Sequence, residues 1–476
     1  MEQKRTDRFI KTEDGGGTVF SVFVFMCLCV LLGIMVDATN AWRNSTILAS
    51  AADMGSHAGA VVLANDGTEE EALAAARAQV RRNISTQFYG DTVGQDGDVF
   101  LLSFDPETRS LSTTGPRNAV AVRTNRLAER NNGVGTFLLN FAGVMSWDVR
   151  EVSVTAYEVS TECRGTDGIF SESRIRASAQ NRFGTGYCVH SNDHVWLPQQ
   201  NEFAEGTLVS MPDLADCGNK CSHDANPGIS ATEVNMIFPD FGDYIQATYD
   251  AFNNDGLDDP DKAAFFAGRA LGDLNALREA GILGEFETAD VGDLIPLSLA
   301  EFHALERLPA GLVYRVLCAS GGNGPSTRLS FSATSGQMRD AALLTNCSLD
   351  FQDGTEVEGG LIVTTRNSST ASVSAGEEVT VGDSVVGTCS SSDRSTIMSM
   401  SGVSVPAKFA ASNVTMIVDD TVDIASSSSS GDTSYGLTIY ATDRVDISSQ
   451  HTFISCGEVD EVLVPRGKVI RHVATN

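Results

Sequence analysis

The sequence is poor in basic residues. It contains 33 lysines and arginines against 62 aspartates and glutamates, which gives a formal net charge of −29. Residues 1–17 hold four side chains of each sign, so the excess of acid belongs to the rest of the chain. Acidic surfaces repel nucleic-acid phosphates and anionic lipid headgroups. We therefore expect no nucleic-acid partner, and solubility alone is the simplest role for this charge.

Aromatic residues are also scarce. They make up 7% of the chain, and three of them are tryptophans. A sugar- or peptide-binding module would be expected to display a row of exposed aromatic side chains, so the composition disfavours such a module. The 44 glycines, combined with few aromatics, are more typical of a turn-rich β architecture than of a helical bundle.

Familiar catalytic motifs are missing. The sequence contains no H-E-x-x-H, no G-x-S-x-G and no G-x-x-x-x-G-K-[ST]. His190 and His194 are four residues apart, but they lie in a turn rich in Ser, Asn and Asp and not on a helix. We predict no catalytic residue, no cofactor and no metal ligand, and hence a protein that is not an enzyme.

One loop invites comparison with a calcium site. In residues 250–262 (DAFNNDGLDDPDK), an EF-hand with its glycine at Gly256 would need an acid at position 251 and a glutamate at position 262. The chain has Ala251 and Lys262 there, so the motif fails. A solvated loop is the simpler interpretation. A weak calcium site formed by four side chains is the alternative: Asn253, Asp255, Asp258 and Asp259.

Long apolar runs are rare, and one stands out. Thr18–Val36 holds 19 residues without a charge, a proline or an amide side chain. About 20 such residues match a hydrocarbon core of roughly 30 Å, so the run predicts a transmembrane helix. A cleaved secretory signal is the alternative, because the flank Asp37–Ala41 ends in alanine, but the apolar core of such signals is usually shorter, about 7–15 residues.

The charges around this run predict its orientation. Lys4, Arg5, Arg8 and Lys11 precede it, whereas Arg43 is the only basic residue in the forty that follow. An excess of Lys and Arg marks the cytoplasmic side of a membrane helix. We therefore expect a single-pass protein of the bacterial inner membrane, with a cytoplasmic N-terminus and most of the chain in the periplasm.

Cysteine usage agrees with export. Cys27 and Cys29 lie within the apolar run and act as small apolar residues there. The disulfide candidates are the other eight: Cys163, Cys188, Cys217, Cys221, Cys318, Cys347, Cys389 and Cys456. Eight cysteines allow 105 connectivities, and the shortest pairing, Cys217–Cys221, is the one we favour. A metal site made of these two residues and His223 is the alternative, but it lacks a fourth ligand nearby.

Local patterns predict a small α+β domain after the membrane run. The capping-box sequence Thr68–Glu71 opens a helix, and alternating residues predict strands at Asp98–Phe104, Asn118–Thr124 and Val149–Val159. Gly135–Val144 is predicted to be a short apolar helix. The predicted organisation is a cytoplasmic N-terminus (1–17), a transmembrane helix (18–36), a helical stalk (37–64), a small α+β domain (65–160) and a β-helix-like envelope domain (161–476).

An internal repeat supports the last of these assignments. Val414–Ser426 (VTMIVDDTVDIAS) aligns with Leu437–Ser449 (LTIYATDRVDISS) at an offset of 23 residues, with six identities in thirteen positions. Regular self-similarity is the signature of stacked β units. The predicted fold class is mainly β, with an α+β N-terminal part and a β-helix-like (solenoid) domain. A plain antiparallel sandwich with two similar strands is the alternative.

The repeat places aspartates at matching positions. Asp420 aligns with Asp443, and Asp423 aligns with Asp446. Such residues could stack in pairs, and like charges that stack are costly unless they are exposed or bind a cation. Exposure is the simpler explanation.

A helical pattern interrupts the β region at about 240–308. Lys262–Leu283 carries apolar residues at helical spacing. Ser298–Glu301 forms a second capping-box sequence. We expect a helical insertion between β units.

The N-terminal segment carries a family resemblance. Glu13–Gly16 forms an acidic–glycine entry to the apolar span, which ends in Val36-Asp37, and an Ala-Ala-Asp follows at Ala51–Asp53. This pattern resembles TadG-like proteins of the tight-adherence (Tad, or Flp) pilus-assembly system. The strand Asn118–Thr124 is similar to a strand that comes after this pattern in such chains. The resemblance implies a role in pilus assembly or surface attachment, with partners in the pilus-assembly machinery.

Two departures limit the implications of this resemblance. Pseudopilin-like relatives place a glutamate just inside the apolar segment, and Gly17–Val22 has none, so processing by a prepilin peptidase is not implied. Other members carry a D-x-S-x-S metal motif, and neither Asp393–Ile397 nor Asp446–Gln450 completes it. Ion-dependent adhesion is therefore not implied either.

These patterns support two functional hypotheses. The first is a non-enzymatic, inner-membrane-anchored envelope protein that serves Tad/Flp pilus assembly or surface attachment. The second is an exported carbohydrate-active enzyme or carbohydrate-binding module on a parallel β-helix, which would require convergent carboxylates in a groove.

Overall fold

The computed structural model describes residues 15–65, 67–106, 108–159, 167–284, 287–319, 325–368, 371–376, 379–382, 394–405, 409–425, 432–457 and 468–473. The chain forms two compact units. Unit 1 runs to Glu158 and also takes in the chain from Ile470 onward, and unit 2 is Val159–Val469. The fold is mainly β, with one long N-terminal helix and several parallel sheets.

Unit 1 combines helices with an antiparallel sheet. Its helices are α1 (Gly15–Ala64), α2 (Glu69–Asn83) and α3 (Thr86–Tyr89). Its strands are β1 (Val99–Asp105), β2 (Ser110–Ser112), β3 (Ala119–Arg126), β4 (Val134–Gly135), β5 (Ser146–Trp147) and β6 (Val149–Val159). The main sheet has the order β2-β1-β3-β6, and the C-terminal strand of the chain completes it beside β6.

Most local predictions for unit 1 agree with the structure. Thr68 and Glu71 form both hydrogen bonds of a capping box at the start of α2, and β1, β3 and β6 lie where alternation predicts strands. The predicted helix Gly135–Val144 is wrong. This segment is the tip of a hairpin in which β4 pairs with β5, and it contains a 3₁₀ helix at Leu139–Ala142.

Unit 2 is built mainly from short strands. The strands are β7 (Gly168–Ser171), β8 (Arg174–Ala177), β9 (Arg182–Phe183), β10 (Cys188–Ser191), β11 (His194–Trp196), β12 (Glu202–Phe203), β13 (Leu208–Met211), β14 (Ser230–Glu233), β15 (Leu294–Leu297), β16 (Arg307–Leu308), β17 (Val313–Val316), β18 (Arg328–Phe331), β19 (Gln337–Arg339), β20 (Ala342–Thr345), β21 (Ser348–Phe351), β22 (Val357–Glu358), β23 (Leu361–Thr364), β24 (Val373–Ala375), β25 (Thr380–Gly382), β26 (Ser395–Ser399), β27 (Val403–Val405), β28 (Ala410–Val418), β29 (Val422–Ile424), β30 (Asp432–Ala441), β31 (Val445–Ile447) and β32 (His451–Ile454). The last strand, β33 (Lys468–Val473), is the one that completes the sheet of unit 1 beside β6.

Parallel pairing organises these strands into sheets. The largest sheet has the order β14-β13-β10-β7-β30-β28-β26-β23-β20-β17-β15, and a second has the order β11-β8-β31-β29-β27-β24-β21-β18. Each pair of neighbouring strands in these two orders is parallel, which rules out a plain antiparallel sandwich.

The chain enters the large sheet in its middle. The first strand of unit 2, β7, lies next to β30, which comes near the end of the chain. The chain adds β10, β13 and β14 outward on one side of β7. It then starts again at the opposite edge with β15 and returns strand by strand to β30. Two strands that are adjacent in this sheet can therefore lie far apart in sequence.

The internal repeat corresponds to neighbouring strands. Thr415 pairs with Thr438, Val422 with Val445, and Asp423 with Asp446, so the two copies lie side by side at the register of the sequence alignment. Equivalent side chains can then meet across the ladder.

A helical segment joins the two edges of the large sheet. It contains α4 (Phe241–Phe252), α5 (Pro260–Phe266) and α6 (Asn275–Glu279), and α7 (Leu299–Ala304) follows β15. The apolar side of α4 buries Phe241, Ile245 and Phe252 in one cluster with residues of the sheet. The helical spacing over Lys262–Leu283 corresponds to two short helices and not to a continuous one, because Gly268 and Gly281 adopt positive φ angles of 78° and 72° after α5 and α6.

Disulfides stabilise unit 2. Cys217 bonds to Cys221, and Cys318 bonds to Cys347 across a separation of 29 residues. Cys188 and Cys456 each take part in a disulfide as well. Cys163 and Cys389 lie outside the described residues.

We expect the bonds Cys217–Cys221 and Cys318–Cys347 to differ in their effect on stability. In the chain-entropy model, a loop of 29 residues corresponds to about 3.5 kcal/mol and one of four residues to about 2 kcal/mol. The double variant Cys318→Ser/Cys347→Ser should therefore lower the urea midpoint more than Cys217→Ser/Cys221→Ser. Equal losses would contradict this order.

Candidate functional site

Helix α1 has two parts with opposite exposure. Over residues 18–36 its large apolar side chains are exposed, with Phe20 at 67% and Leu32 at 58%. From Leu48 onward, by contrast, residues such as Ala52 and Ala60 are fully buried in the core of unit 1. This helix is long and apolar enough near the N-terminus to cross a membrane. Its exposed part therefore continues without a break into a folded body.

Small residues on the second part of α1 let its neighbours approach closely. A Cβ atom on Gly55 would lie 2.6 Å from Val80 of α2, and one on Gly59 would lie 2.9 Å from Val120 of β3. The face formed by Ala51, Ala52, Gly55 and Gly59 is thus covered within the chain by α2 and β3. Substitution of either glycine by a larger residue would push these elements apart.

Asp37 lies at the end of the exposed part, and its carboxylate is buried. It accepts hydrogen bonds from three backbone N–H groups: Oδ1 from Phe137 at 2.6 Å, and Oδ2 from Leu138 at 3.0 Å and Leu139 at 2.7 Å. These are the groups at the start of the 3₁₀ helix. Charge-assisted hydrogen bonds of this kind are among the stronger ones in proteins. Asp37 therefore attaches the β4–β5 hairpin tip to α1.

Removal of this carboxylate should loosen the hairpin tip. In Asp37→Ala, we expect faster hydrogen–deuterium exchange at the amides of Phe137, Leu138 and Leu139, because they lose their acceptor. The measurement uses full-length protein in detergent and follows peptic peptides that cover residues 137–139. Asp53→Ala, which removes an exposed carboxylate from the same helix, is the control. Unchanged exchange in Asp37→Ala would show that Asp37 does not hold the tip.

The repeat aspartates line a shallow groove of about 330 Å³ in unit 2. Asp423 and Asp446 face it from adjacent strands, with hydroxyls from Ser374, Ser404 and Ser448 around them. Burial raises the pKa of Asp423, and the negative charge of Asp446 raises it further. Arg444 forms an ion pair with Asp446, with Nε and Oδ2 2.8 Å apart. The groove therefore presents two neighbouring carboxylates and one nearby cation.

The histidine pair is not assembled into a site. His190 is fully buried, with Nδ1 2.8 Å from Ser210 Oγ and Nε2 3.0 Å from Asn192 Oδ1. His194 instead lies 3.0 Å from Asp193 Oδ2. Burial lowers the pKa of His190 to about 4. His190 is thus a neutral, hydrogen-bonded residue of the β10 strand.

This buried histidine predicts a pH-dependent stability. The unfolded chain takes up the proton near pH 6.5, whereas the folded chain does so only near pH 4. Stability should therefore fall as the pH is lowered through this window, by up to about 3 kcal/mol from this residue. His190→Gln should show a smaller loss between pH 7 and pH 5 in urea unfolding. An identical pH dependence of variant and wild type would contradict the assignment.

In the two other candidate metal sites, groups of the protein itself bind the candidate ligands. Cys217 and Cys221 are joined to each other, and His223 Nδ1 accepts a hydrogen bond from the backbone N–H of Gly228. In the calcium-like loop, the buried Lys262 ammonium donates to the carbonyl oxygens of Phe252 and Asn254. A lysine bonded to the loop carbonyls in this way opposes the binding of a cation.

Three of the four candidate side chains in this loop also have other roles. Asn253 Oδ1 accepts from Arg315, Asp255 Oδ1 accepts from the Leu294 N–H, and Asp259 caps α5. Across the parts of the chain that the structure describes, no three His, Cys, Asp or Glu residues gather in a way that could hold a metal ion.

Comparison with known proteins adds one finding. Residues 168–233 and 298–457 match a family model described as "Domain of unknown function (DUF7867)". The matched segments hold β7 to β14 and the strands from β16 to β32, and they leave out the segment with α4, α5 and α6. No curated protein and no solved structure matches the chain. The similarity therefore concerns the parallel sheets of unit 2, and it does not indicate an activity.

Proposed function

We propose that this protein is a non-enzymatic, membrane-anchored envelope protein that serves Tad/Flp pilus assembly or surface attachment. Residues 18–36 would span the bacterial inner membrane, with the N-terminus in the cytoplasm and both units in the periplasm. The observation that carries the proposal is helix α1, which exposes apolar side chains over one membrane thickness and then enters the core of unit 1. A folded body is thereby joined directly to an anchor.

Two further features support this placement. Lys4, Arg5, Arg8 and Lys11 precede the span, as expected for a cytoplasmic end. The bonds Cys217–Cys221 and Cys318–Cys347 suit an oxidising compartment such as the periplasm. The resemblance of the N-terminal segment to TadG-like proteins is the ground for naming pilus assembly.

We further propose that unit 2 is a parallel β-helix. Gly168 pairs with Cys188, and Cys188 pairs with Leu208, so successive parallel strands are 20 residues apart. Between them the chain passes through the second sheet and through a short third strand, as in β7, β8 and β9. Similar side chains meet in the interior, with the rings of Phe183 and Phe203 4.8 Å apart. Such stacking is the way in which coils of a solenoid cover one another.

Cysteine pairs can test this arrangement. Asp446 of β31 pairs with Arg176 of β8, although the two residues are far apart in sequence. Neighbouring strands lie about 4.8 Å apart, which is within the Cα range of a disulfide. Asp446→Cys/Arg176→Cys should therefore cross-link. Asp423→Cys/Arg176→Cys, which is one strand further apart, should not, and equal cross-linking of both pairs would contradict the stack.

The cellular role needs a test in the source bacterium. Deletion of the gene should reduce pili seen by electron microscopy or reduce attachment to a surface, and the wild-type gene should restore them. Normal pili and normal attachment after deletion would contradict the pilus role and leave the anchor proposal standing. Genes for a secretion ATPase, a prepilin peptidase and small pilins beside this one would support it.

The groove at Asp423 and Asp446 is the observation that supports a second candidate function, a carbohydrate-active site. Two carboxylates on adjacent strands, one with a raised pKa, are the groups that glycoside hydrolysis uses. If this candidate is correct, the wild type should release reducing sugar from envelope polysaccharide, and Asp423→Asn should abolish the release. If the wild type and Asp423→Asn both released sugar only at the background rate, this candidate would be contradicted and the non-enzymatic proposal would be supported.

A further inference from the structure

The hairpin tip Thr136–Met145 carries apolar side chains that the described residues of unit 1 leave exposed. Phe137 is 75% exposed, Phe141 92% and Met145 66%, and Val144 is exposed as well. The surrounding run from residue 133 to residue 147 contains no charged side chain, in a chain of which 20% is charged. Exposed apolar patches on a folded body mark surfaces that meet a partner or a membrane.

The tip is an ordered structure and not a loose loop. Its ends are paired through β4 and β5. Inside it, the N–H of Thr136 donates to Met145 O at 3.1 Å, and the N–H of Val144 donates to Leu139 O at 3.2 Å. Phe137 and Phe141 therefore project from a defined scaffold.

Contacts with α1 place the tip at the end of the apolar span. Asp37 accepts the three backbone bonds described above, and Asn40 donates from Nδ2 to Gly135 O at 3.4 Å. Leu138 packs on Gly33, where an added Cβ would lie 2.9 Å from the leucine Cβ. Gly33 lies inside the span, three residues before Val36, which is roughly 4.5 Å along a helix. The tip thus reaches beside the last turn of the membrane-spanning part.

We propose that the hairpin tip Thr136–Met145 is a second membrane contact, which inserts Phe137 and Phe141 into the lipid interface where α1 leaves the bilayer. This inference rests on the proposed anchor. Lipid is the occupant that the geometry favours, because the tip lies against a helix segment that is itself surrounded by lipid. Trp42, which is exposed one and a half turns beyond Asp37, adds an aromatic of the kind enriched at interfaces. Insertion at two points would restrict the tilt of unit 1 on the membrane.

Fluorescence quenching can test the contact in the full-length protein. The three native tryptophans are replaced by phenylalanine (Trp42→Phe, Trp147→Phe and Trp196→Phe), and one tryptophan is introduced as Phe141→Trp. The protein is reconstituted in phosphatidylcholine vesicles with brominated acyl chains. We expect quenching at least half as large as that of the same protein carrying Phe20→Trp, which probes the span itself.

Phe88→Trp is the matched control in unit 1. Phe88 is exposed beside Tyr89, and the Arg126 guanidinium lies over the Tyr89 ring and donates to Asn44. Asn44 follows Asp37 by seven residues, about 10 Å along the helix. A tryptophan at position 88 should therefore respond to aqueous iodide and not to brominated chains.

Each outcome separates the two proposals. Quenching of Phe20→Trp without quenching of Phe141→Trp would overturn the tip contact and leave the anchor. A Phe141→Trp probe that is shielded from both lipid and iodide would indicate that protein covers the tip, either the same chain or a second copy, and would also overturn the tip contact. No quenching of Phe20→Trp would overturn the anchor.

A second measurement uses the wild-type chain and avoids the tryptophan substitutions. A photoactivatable phosphatidylcholine is incorporated in the vesicles, and tryptic peptides are analysed by mass spectrometry. The peptide Asn131–Arg150 should carry lipid adducts, whereas the peptide that contains Phe88 should not. An unlabelled Asn131–Arg150 peptide beside a labelled span peptide would contradict the tip contact.

Discussion

Replacement of Leu28 and Leu31 by arginine is expected to release the full-length protein from the membrane. Both side chains are exposed in the middle of the apolar run. An arginine at the centre of a membrane helix costs about 2.5–3.5 kcal/mol on the insertion scale. Two of them should lower membrane insertion by roughly four orders of magnitude. The measurement is flotation on a density gradient after alkaline extraction.

The control for this experiment keeps the segment apolar. Leu28→Phe/Leu31→Phe should float with the membranes as the wild type does. If the arginine variant also floated with the membranes, the helix would not be the anchor, and the proposed function would lose its main support.

Neutralising Asp167 is expected to destabilise unit 2 by about 3–5 kcal/mol, the range for breaking a buried ion pair. Asp167 and Arg394 are almost completely buried, and Nη2 of the arginine lies 2.7 Å from Oδ1 of the aspartate. Arg394 also donates to Thr415 and Thr438. In Asp167→Asn, this buried guanidinium would lose the negative charge that lies 2.7 Å from it.

The position of the pair explains why the effect should be large. Arg394 precedes β26, Thr415 and Thr438 lie on β28 and β30, and Asp167 precedes β7. The network therefore crosses the place where the late strand β30 meets the early strand β7.

An exposed pair supplies the control. Arg182 and Glu202 lie 2.9 Å apart on β9 and β12, and both side chains are exposed. Glu202→Gln should cost less than about 1 kcal/mol. Similar losses of urea stability in Asp167→Asn and Glu202→Gln would contradict the importance assigned to the buried network.

Signals confined to short stretches of sequence predicted much of the fold. The capping boxes at Thr68 and Ser298 formed as expected, since each needs only residues three apart. The offset of the internal repeat also equals the register of β28 with β30. In contrast, the break in the helical pattern at Gly268 was missed, because apolar spacing continued across it.

Such local patterns could not predict contacts between residues that are far apart in the sequence. Nothing near Asp37 indicates that its carboxylate binds backbone amides a hundred residues later. The adjacency of β7 and β30, and with it the Asp167–Arg394 pair, depends on the order in which strands enter the sheet. The lack of charge from residue 133 to residue 147 was the one available signal for the exposed tip, and it suggested an apolar helix instead.

The proposed function requires residues 18–36 to stay in the membrane while the acidic bulk lies outside the cytoplasm. Fusion of alkaline phosphatase to the C-terminus of the full chain tests it most directly, because this enzyme is active only after export. We expect high phosphatase activity that remains with the membrane fraction. A fusion that is inactive as phosphatase, while a C-terminal green fluorescent protein fluoresces, would contradict it.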